Sequence, residues 1–403
     1  MLSVEESIMR LFGILCFTLF VSLVISGCQS TAKSVKQPTN FLHDTEVFAD
    51  ESFEGYRSVE IETMEQVFSL SDEMRELVTL RLLSERDHFK RAEKLLKILF
   101  FEKENEIDYR YGANLTAQEA FENKQANCMS LTIMAYALAD AAGLKASFQD
   151  VDVPEYWIRN GTYSMLTGHV NISIKKQREA NVAVVWGNET IEIDFDPLVA
   201  KRSFPKQKIS KNTVLAMFYN NKGAQYLVDD DLTTAYAYFK ASIETDPFFE
   251  AAWGNLGILY RKSSMYEHSE RAYKHATDID GNNLTALTNY ALLLRALGKI
   301  DKAELIEKNI HQQRLSNPYY HAMLADEAHY AGDYRKAISY YRKAIKLDSK
   351  AHEFYFGLAK VYYDLNELAS AKAQLKRAIR LSKKSSIHRK YEAKLAVLNA
   401  YNR

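Results

Sequence analysis

Cysteine is scarce in this chain, with three residues among 403, at positions 16, 28 and 128. Glycine and proline are sparse as well, at 15 and 6 residues, and beside abundant Ala, Leu, Lys and Tyr their scarcity points to a mostly helical architecture. Excess charge is missing too. Lys and Arg number 52, Asp and Glu 52, and without a basic block or an aromatic-basic interleaving there is no electrostatic footprint for a nucleic-acid partner. Metal-ligand spacing, a phosphate-cradling glycine loop and a dinucleotide fingerprint are all lacking, so no metal and no cofactor is implied. What is present is apolar content, 47% of residues, enough for more than one core and for two domains behind a leader.

Leu11 to Ile25 is apolar but short for a membrane span, follows Arg10 and runs into Ser26-Gly27-Cys28. This resembles the signal and lipobox of a bacterial lipoprotein. The resemblance implies a signal peptide over 1-27, lipidation at Cys28 and a lipid anchor to the membrane. Gln29 after the cysteine resembles the sorting pattern of the outer membrane, periplasmic face. Glu5 and Glu6 are unusual in such a leader, so both Met1 and Met9 stand as possible starts. Residues 28-52 then read as a polar lipidated tether. With Cys16 removed and Cys28 capped, Cys128 would be a single free thiol in an oxidising compartment.

From Ala216 the sequence repeats every 34 residues, with units opening at Ala216, Glu250, Leu284, Pro318 and His352. A bulky aromatic recurs at the fourth place (Tyr219, Trp253, Tyr355) and a small residue at the eighth (Gly223, Gly257, Ala291, Ala325, Ala359). Alanine returns at the twentieth place (Ala235, Ala303, Ala337, Ala371). Alternation of large and small lets two antiparallel helices cross closely and stack on the next pair. The pattern resembles the tetratricopeptide repeat. It implies five repeats over 216-385, an all-α solenoid, and a surface that binds polypeptide. Ser386 to the end, 386-403, reads as a capping helix. The sixth places of the first three units, Asn221, Asn255 and Asn289, are candidate peptide-binding residues, because a side-chain amide can pair with both the carbonyl and the N–H of an extended backbone. Asparagine at this place also serves helix packing. Arg261, Lys262 and Arg295 lie near them as attraction for an acidic segment.

Residues 53-215 read as α+β. Helical periodicity runs through Met74 to Leu83 and Phe89 to Leu99, and Thr116-x-x-Glu119 is a capping box for a helix ending near Asn123. A helix follows from Cys128 to Gly143, then strands at Ala146 to Val153, Val170 to Ile174, Val182 to Trp186 and Ile191 to Phe195. A cysteine in the first turn of a helix meets the positive end of its dipole, which favours thiolate over thiol. Acyl chemistry then needs an imidazole within reach and a group that orients it. His169 opens one strand and Asp194 lies on a later one, with Asp196 two residues on as a rival.

The order of these residues, with "NC" opening a helix and "AYALADAAGLKASFQDV" running from helix to strand, resembles the transglutaminase-like core, a relative of papain-type cysteine peptidases. It covers about Thr116 to Pro197. The resemblance implies an α+β transglutaminase-like (papain-like) domain with Cys128 as nucleophile, His169 as general base or acid and Asp194 as orienting carboxylate. Ala126 stands where glycine is frequent in that family. For the oxyanion, the Cys128 amide is joined by Gln125 or Asn127. Two readings follow. In one the chain is a lipid-anchored enzyme cutting or transferring an amide acyl group, its repeats recruiting a polypeptide. In the other it is a non-enzymatic scaffold with an inactive transglutaminase-like domain. A redox-sensing thiol is disfavoured by the lack of a nearby resolving cysteine.

Overall fold

The computed structural model describes residues 47–102, 107–110, 112–155, 157–160, 163–166, 168–175, 190–195, 204–382 and 386–400. The leader, Cys28, the strand expected at Val182 to Trp186 and Asp196 lie outside the described residues.

Short helices α1 (Met64–Val67) and α2 (Asp72–Leu77) lead into α3 (His88–Phe101), and β1 (Asp108–Tyr109) follows. Helix α4 (Ala117–Asn123) is opened by the Thr116–Glu119 capping box, both of whose hydrogen bonds form. After β2 (Gln125–Ala126), which pairs with β1 in parallel, helix α5 spans Cys128–Ala141. Its C-terminus is closed by Gly143 in the left-handed region, φ +70°, a conformation glycine takes at no Cβ cost. Arg91 from α3 donates to the Ala142 carbonyl at 2.8 Å, supplying a cation where the helix end carries partial negative charge.

Strands β3 (Ala146–Val151), β6 (Val170–Lys175), β7 (Thr190–Ile193) and β8 (Lys206–Ile209) make an antiparallel sheet in the order β7-β6-β3-β8. A separate hairpin, β4 (Trp157–Asn160) with β5 (Tyr163–Leu166), interrupts the path from β3 to β6. Helix α5 lies on β6 and β3, and its Ile133, Met134 and Leu138 share one core with Phe148, Ile172 and Ile193 of the sheet. That core also takes in Val214, Phe218 and Tyr219, so the α+β part is buried directly against the helices that follow.

Those helices come in pairs, and the described bounds repeat on the 34-residue frame: α6 (Lys211–Val228) with α7 (Leu232–Thr245), α8 (Glu250–Lys262) with α9 (Tyr266–Ile279), and α10 (Leu284–Ala296) with α11 (Ile300–Arg314). Then come α12 (Pro318–Tyr330) with α13 (Tyr334–Leu347), and α14 (His352–Asp364) with α15 (Leu368–Ser382). Helix α6 starts ahead of the frame, at Lys211, because Ser210 caps it through the Thr213 amide. A final helix, α16 (Ser386–Ala400), lays Tyr391 and Leu398 on Tyr355, Ala359 and Leu375. The alternation of large and small is literal: a Cβ added at Gly257 would stand 2.7 Å from the Tyr273 ring.

The segment from Val47 is built into this array. Val47, Ala49 and Phe53 share a core with Tyr236, Trp253 and Tyr260. Phe53 stacks on Tyr236 at 4.3 Å between centroids, Tyr260 donates to the Val47 carbonyl at 2.8 Å, and Lys240 holds both oxygens of Asp50 at 2.7 and 2.8 Å. Burial is opposed by the hydrogen bonds from Lys240, Tyr236 and Tyr56, which hold the Asp50 carboxyl down at about 2.

Candidate functional site

Cys128 stands at the first position of α5, half-buried and without a disulfide. The cap before it is Asn127, whose side-chain oxygen accepts from the Ser130 amide at 2.9 Å and whose nitrogen donates to Asn114 at 2.6 Å. Ser130 in turn accepts from the Leu115 amide and donates to the Ala113 carbonyl. The turn presenting the thiol is thus fixed on both sides.

His169 precedes β6 and is buried, 2% exposed. Its Nε2 lies 2.9 and 3.0 Å from the two oxygens of Asp194, and the imidazole is hydrogen-bonded to Cys128 as well. With Nε2 committed to the carboxylate, Nδ1 is the ring nitrogen that serves the thiol. Strand register explains the meeting. Ile172 pairs with Ile193, and one step further along the two chains stand Asn171 and Asp194, whose side chains hydrogen-bond at 2.9 Å. Burial pushes the imidazole toward neutrality, yet the bonds to Asp194 and Cys128 prevail and raise its pKa from 6.5 to about 9. At neutral pH the ring is therefore an imidazolium beside the sulfur of Cys128. The structure brings Cys128, His169 and Asp194 into one chain of contacts.

Asn171 joins this arrangement through its bond to Asp194. It is fully buried and steadies the carboxylate that steadies the ring. Its position two residues from His169, hence on the same side of a strand, is the signal that marks it. Of the oxyanion candidates, Asn127 is spent on its cap, while Gln125 accepts from Arg110 at 2.9 Å through its oxygen.

The three repeat asparagines fare unevenly. Asn255 donates to Asn220 at 2.8 Å and Asn289 to the carbonyl of Thr285 in its own helix at 3.1 Å. The backbone carbonyl of Asn221 accepts from Asn114 at 3.5 Å. Two of the three amides are thus engaged within the array. Two of the three basic residues near them are also paired: Arg295 with Glu307 at 2.6 Å and Lys262 with Asp230 at 3.0 Å.

A different arginine holds a carboxylate. Arg314, 5% exposed, grips Glu155 through Nε and a terminal nitrogen at 2.7 and 2.9 Å. Asn317 donates to the Glu155 carbonyl at 2.7 Å and Thr285 to its carboxylate at 3.3 Å. Unlike the corresponding place in its neighbours, which hold Asp246, Asp280 and Asp348, the third unit carries a cation.

The helical array matches the tetratricopeptide repeat over residues 250–283 and again over 328–395. A chloroplast tetratricopeptide repeat domain-containing protein of Arabidopsis thaliana is 31% identical over 91 residues, 22% of this chain and 30% of its own length. A TPR repeat-containing protein of Methanocaldococcus jannaschii is 27% identical over 164 residues, 36% of this chain and 29% of its own. The chain thus spans less than a third of either curated relative. Among solved structures, a tetratricopeptide protein of Thermus thermophilus covers 46% of this chain and 99% of its own at 16% identity and a TM-score of 0.30. PilF of Pseudomonas aeruginosa covers 47% and 87% at 16% identity and a TM-score of 0.29. The C-terminal part of the chain is a tetratricopeptide-repeat solenoid, an architecture that serves protein–protein interaction.

Proposed function

We propose that the α+β part is a transglutaminase-like domain that performs cysteine-dependent acyl chemistry on an amide bond, with the repeats recruiting the polypeptide that carries it. The observation carrying this reading is the Cys128–His169–Asp194 chain, with the thiol at a capped helix start and the ring held charged. In the reaction the Cys128 thiolate attacks the amide carbonyl carbon and a tetrahedral oxyanion forms near the Cys128 amide. As the C–N bond breaks, His169 gives its proton to the departing amine and a thioester remains. Water or a second amine then loses a proton to His169 while attacking the thioester, and the thiolate leaves. Water makes the protein a peptidase or amidase; an amine makes it a crosslinker.

The test is labelling of the purified chain by a thiol-directed acyl probe, read at the Cys128 peptide across pH, beside turnover of amide substrates. A pH profile that shifts in His169→Ala, and turnover lost in Cys128→Ser at unchanged melting, support the reading. Labelling that ignores the histidine overturns it in favour of a scaffold with a silent domain.

We also propose that Cys28 is lipidated and holds the chain at the periplasmic face of the outer membrane, on the lipobox and Gln29. Cys28→Ser is expected to release the protein from membranes with both cores intact. Retention after a high-salt wash would place the anchor elsewhere.

A further inference from the structure

The β3 strand and the residues after it run from the cysteine site to the third repeat. At one end, the Val151 amide donates to the His169 carbonyl at 2.9 Å, and the Asp152 amide donates to Pro205 at the same distance. At the other, Glu155 sits in the cradle of Arg314, Asn317 and Thr285. Arg314 is further tied to Thr288 at 2.9 Å, the neighbour of Asn289. A planar guanidinium, itself nearly out of water, meeting a carboxylate through two parallel bonds is the geometry by which arginine recognises an acid. The cation responsible exists only because the third unit reverses a place that is aspartate in the first, second and fourth.

We infer that Glu155 is an internal occupant of an acid-binding cradle on the third repeat, and that an acidic segment of a polypeptide partner takes Arg314 by displacing it, releasing the Asp152–Glu155 segment that continues from Val151, whose amide holds the His169 carbonyl. A tethered ligand presents itself at an effective concentration of about a millimolar, so Glu155 masks the cradle from weak acids and yields to a segment offering several carboxylates. Partner capture and access to Cys128 are then opposite faces of one exchange. The second half rests on Cys128 being the reactive thiol of the proposed function; the first half does not.

The experiment uses the full chain and a fluorescent decaglutamate peptide, with a decaglutamine peptide as neutral control. Affinity is read by anisotropy, and iodoacetamide alkylation is followed by mass spectrometry at the Cys128 peptide. Glu155→Ala is expected to bind decaglutamate at least tenfold tighter than the parent, and decaglutamate is expected to bring Cys128 of the parent to the alkylation rate of Glu155→Ala. Affinity within twofold of the parent in a folded Glu155→Ala would make the pair a plain staple between domains and overturn the inference. So would an alkylation rate that ignores the peptide. Should Glu155→Ala melt early, Glu155→Gln keeps the shape and removes the charge, and the same two criteria apply to it. Neither readout requires turnover, so a silent enzyme would end the acyl-transfer reading and leave the exchange intact.

Discussion

Thr132, one helical turn beyond Cys128, donates its hydroxyl to the carbonyl of Val170, the residue after His169, at 3.2 Å. This bond crosses from α5 to β6 beside the thiol and the ring, so it sets the spacing across which the two must meet. Thr132 is fully buried, and nothing from solvent can replace it.

Thr132→Val keeps the volume and removes the donor. Leaving the Val170 carbonyl short of a partner is expected to cost on the order of 1 kcal/mol of stability and to change the alkylation rate at Cys128. Ser147→Ala is the control, since it removes a hydroxyl-to-carbonyl bond to Ser173 within the same sheet. It is expected to cost stability and leave that rate alone; equal rates in both variants would relieve Thr132 of a positioning role.

The His169 imidazole, raised from 6.5 to about 9, makes folding depend on pH in one direction. The folded form holds the proton more tightly, so this contribution is complete below 6.5 and disappears as pH rises through about 9. It amounts to on the order of 3 kcal/mol. Asp194→Asn removes the negative partner, and the ring then titrates lower, observable by imidazole NMR, with the alkaline loss of stability shrinking. An unchanged titration would separate the ring from Asp194. Asn171→Ala is expected to produce the same shift in smaller measure.

Glu250, at the start of α8, is raised to about 7 by burial and by Asp280, Asp150 and Asp246 around it, against the pull of its backbone bond. It too prefers its proton in the folded state, so its contribution is present below 4.5 and is lost as pH rises through about 7. Glu250→Gln is expected to melt higher than the parent at pH 8, by roughly a few degrees, and the gap is expected to close at pH 4. A constant gap across that range would assign the effect to packing.

Two glycines of α8 separate space from propensity. At Gly257 a methyl would meet the buried Tyr273 ring at 2.7 Å, and Gly257→Ala is expected to lose about 1–3 kcal/mol. At Gly254 the nearest atom to the same methyl is the Ala286 Cβ at 3.8 Å, so Gly254→Ala is expected to gain up to about 1 kcal/mol from helix propensity. Denaturant melts of the pair decide it, and a loss at both would mean the stack tolerates no added methyl.

The repeats were legible because helix crossing demands small residues at fixed intervals, and Gly223, Gly257, Ala291, Ala325 and Ala359 keep that interval without insertion. Thr116 with Glu119 and Gly143 were legible for an equally local reason, since caps are made by neighbours. Strands β4 and β5 are not among those expected from alternation, although Asn160-Gly161 is a strong turn signal. Asn171 required the register with Asp194, a property of two strands rather than one. Glu155 and Arg314 lie 159 residues apart; no local pattern reports such a pair. What the sequence does carry is half of it, the aspartate place that turns to arginine in the third unit.

The docking of Val47 to Phe53 on the first two repeats bears on mechanics. A pull on the chain ahead of Val47 enters the structure at Tyr260, Tyr236 and Lys240, and these residues belong to a stack of helices. Such a pull meets the Phe53–Tyr236 stack and the Asp50–Lys240 pair before it passes along the chain toward the turn that presents Cys128.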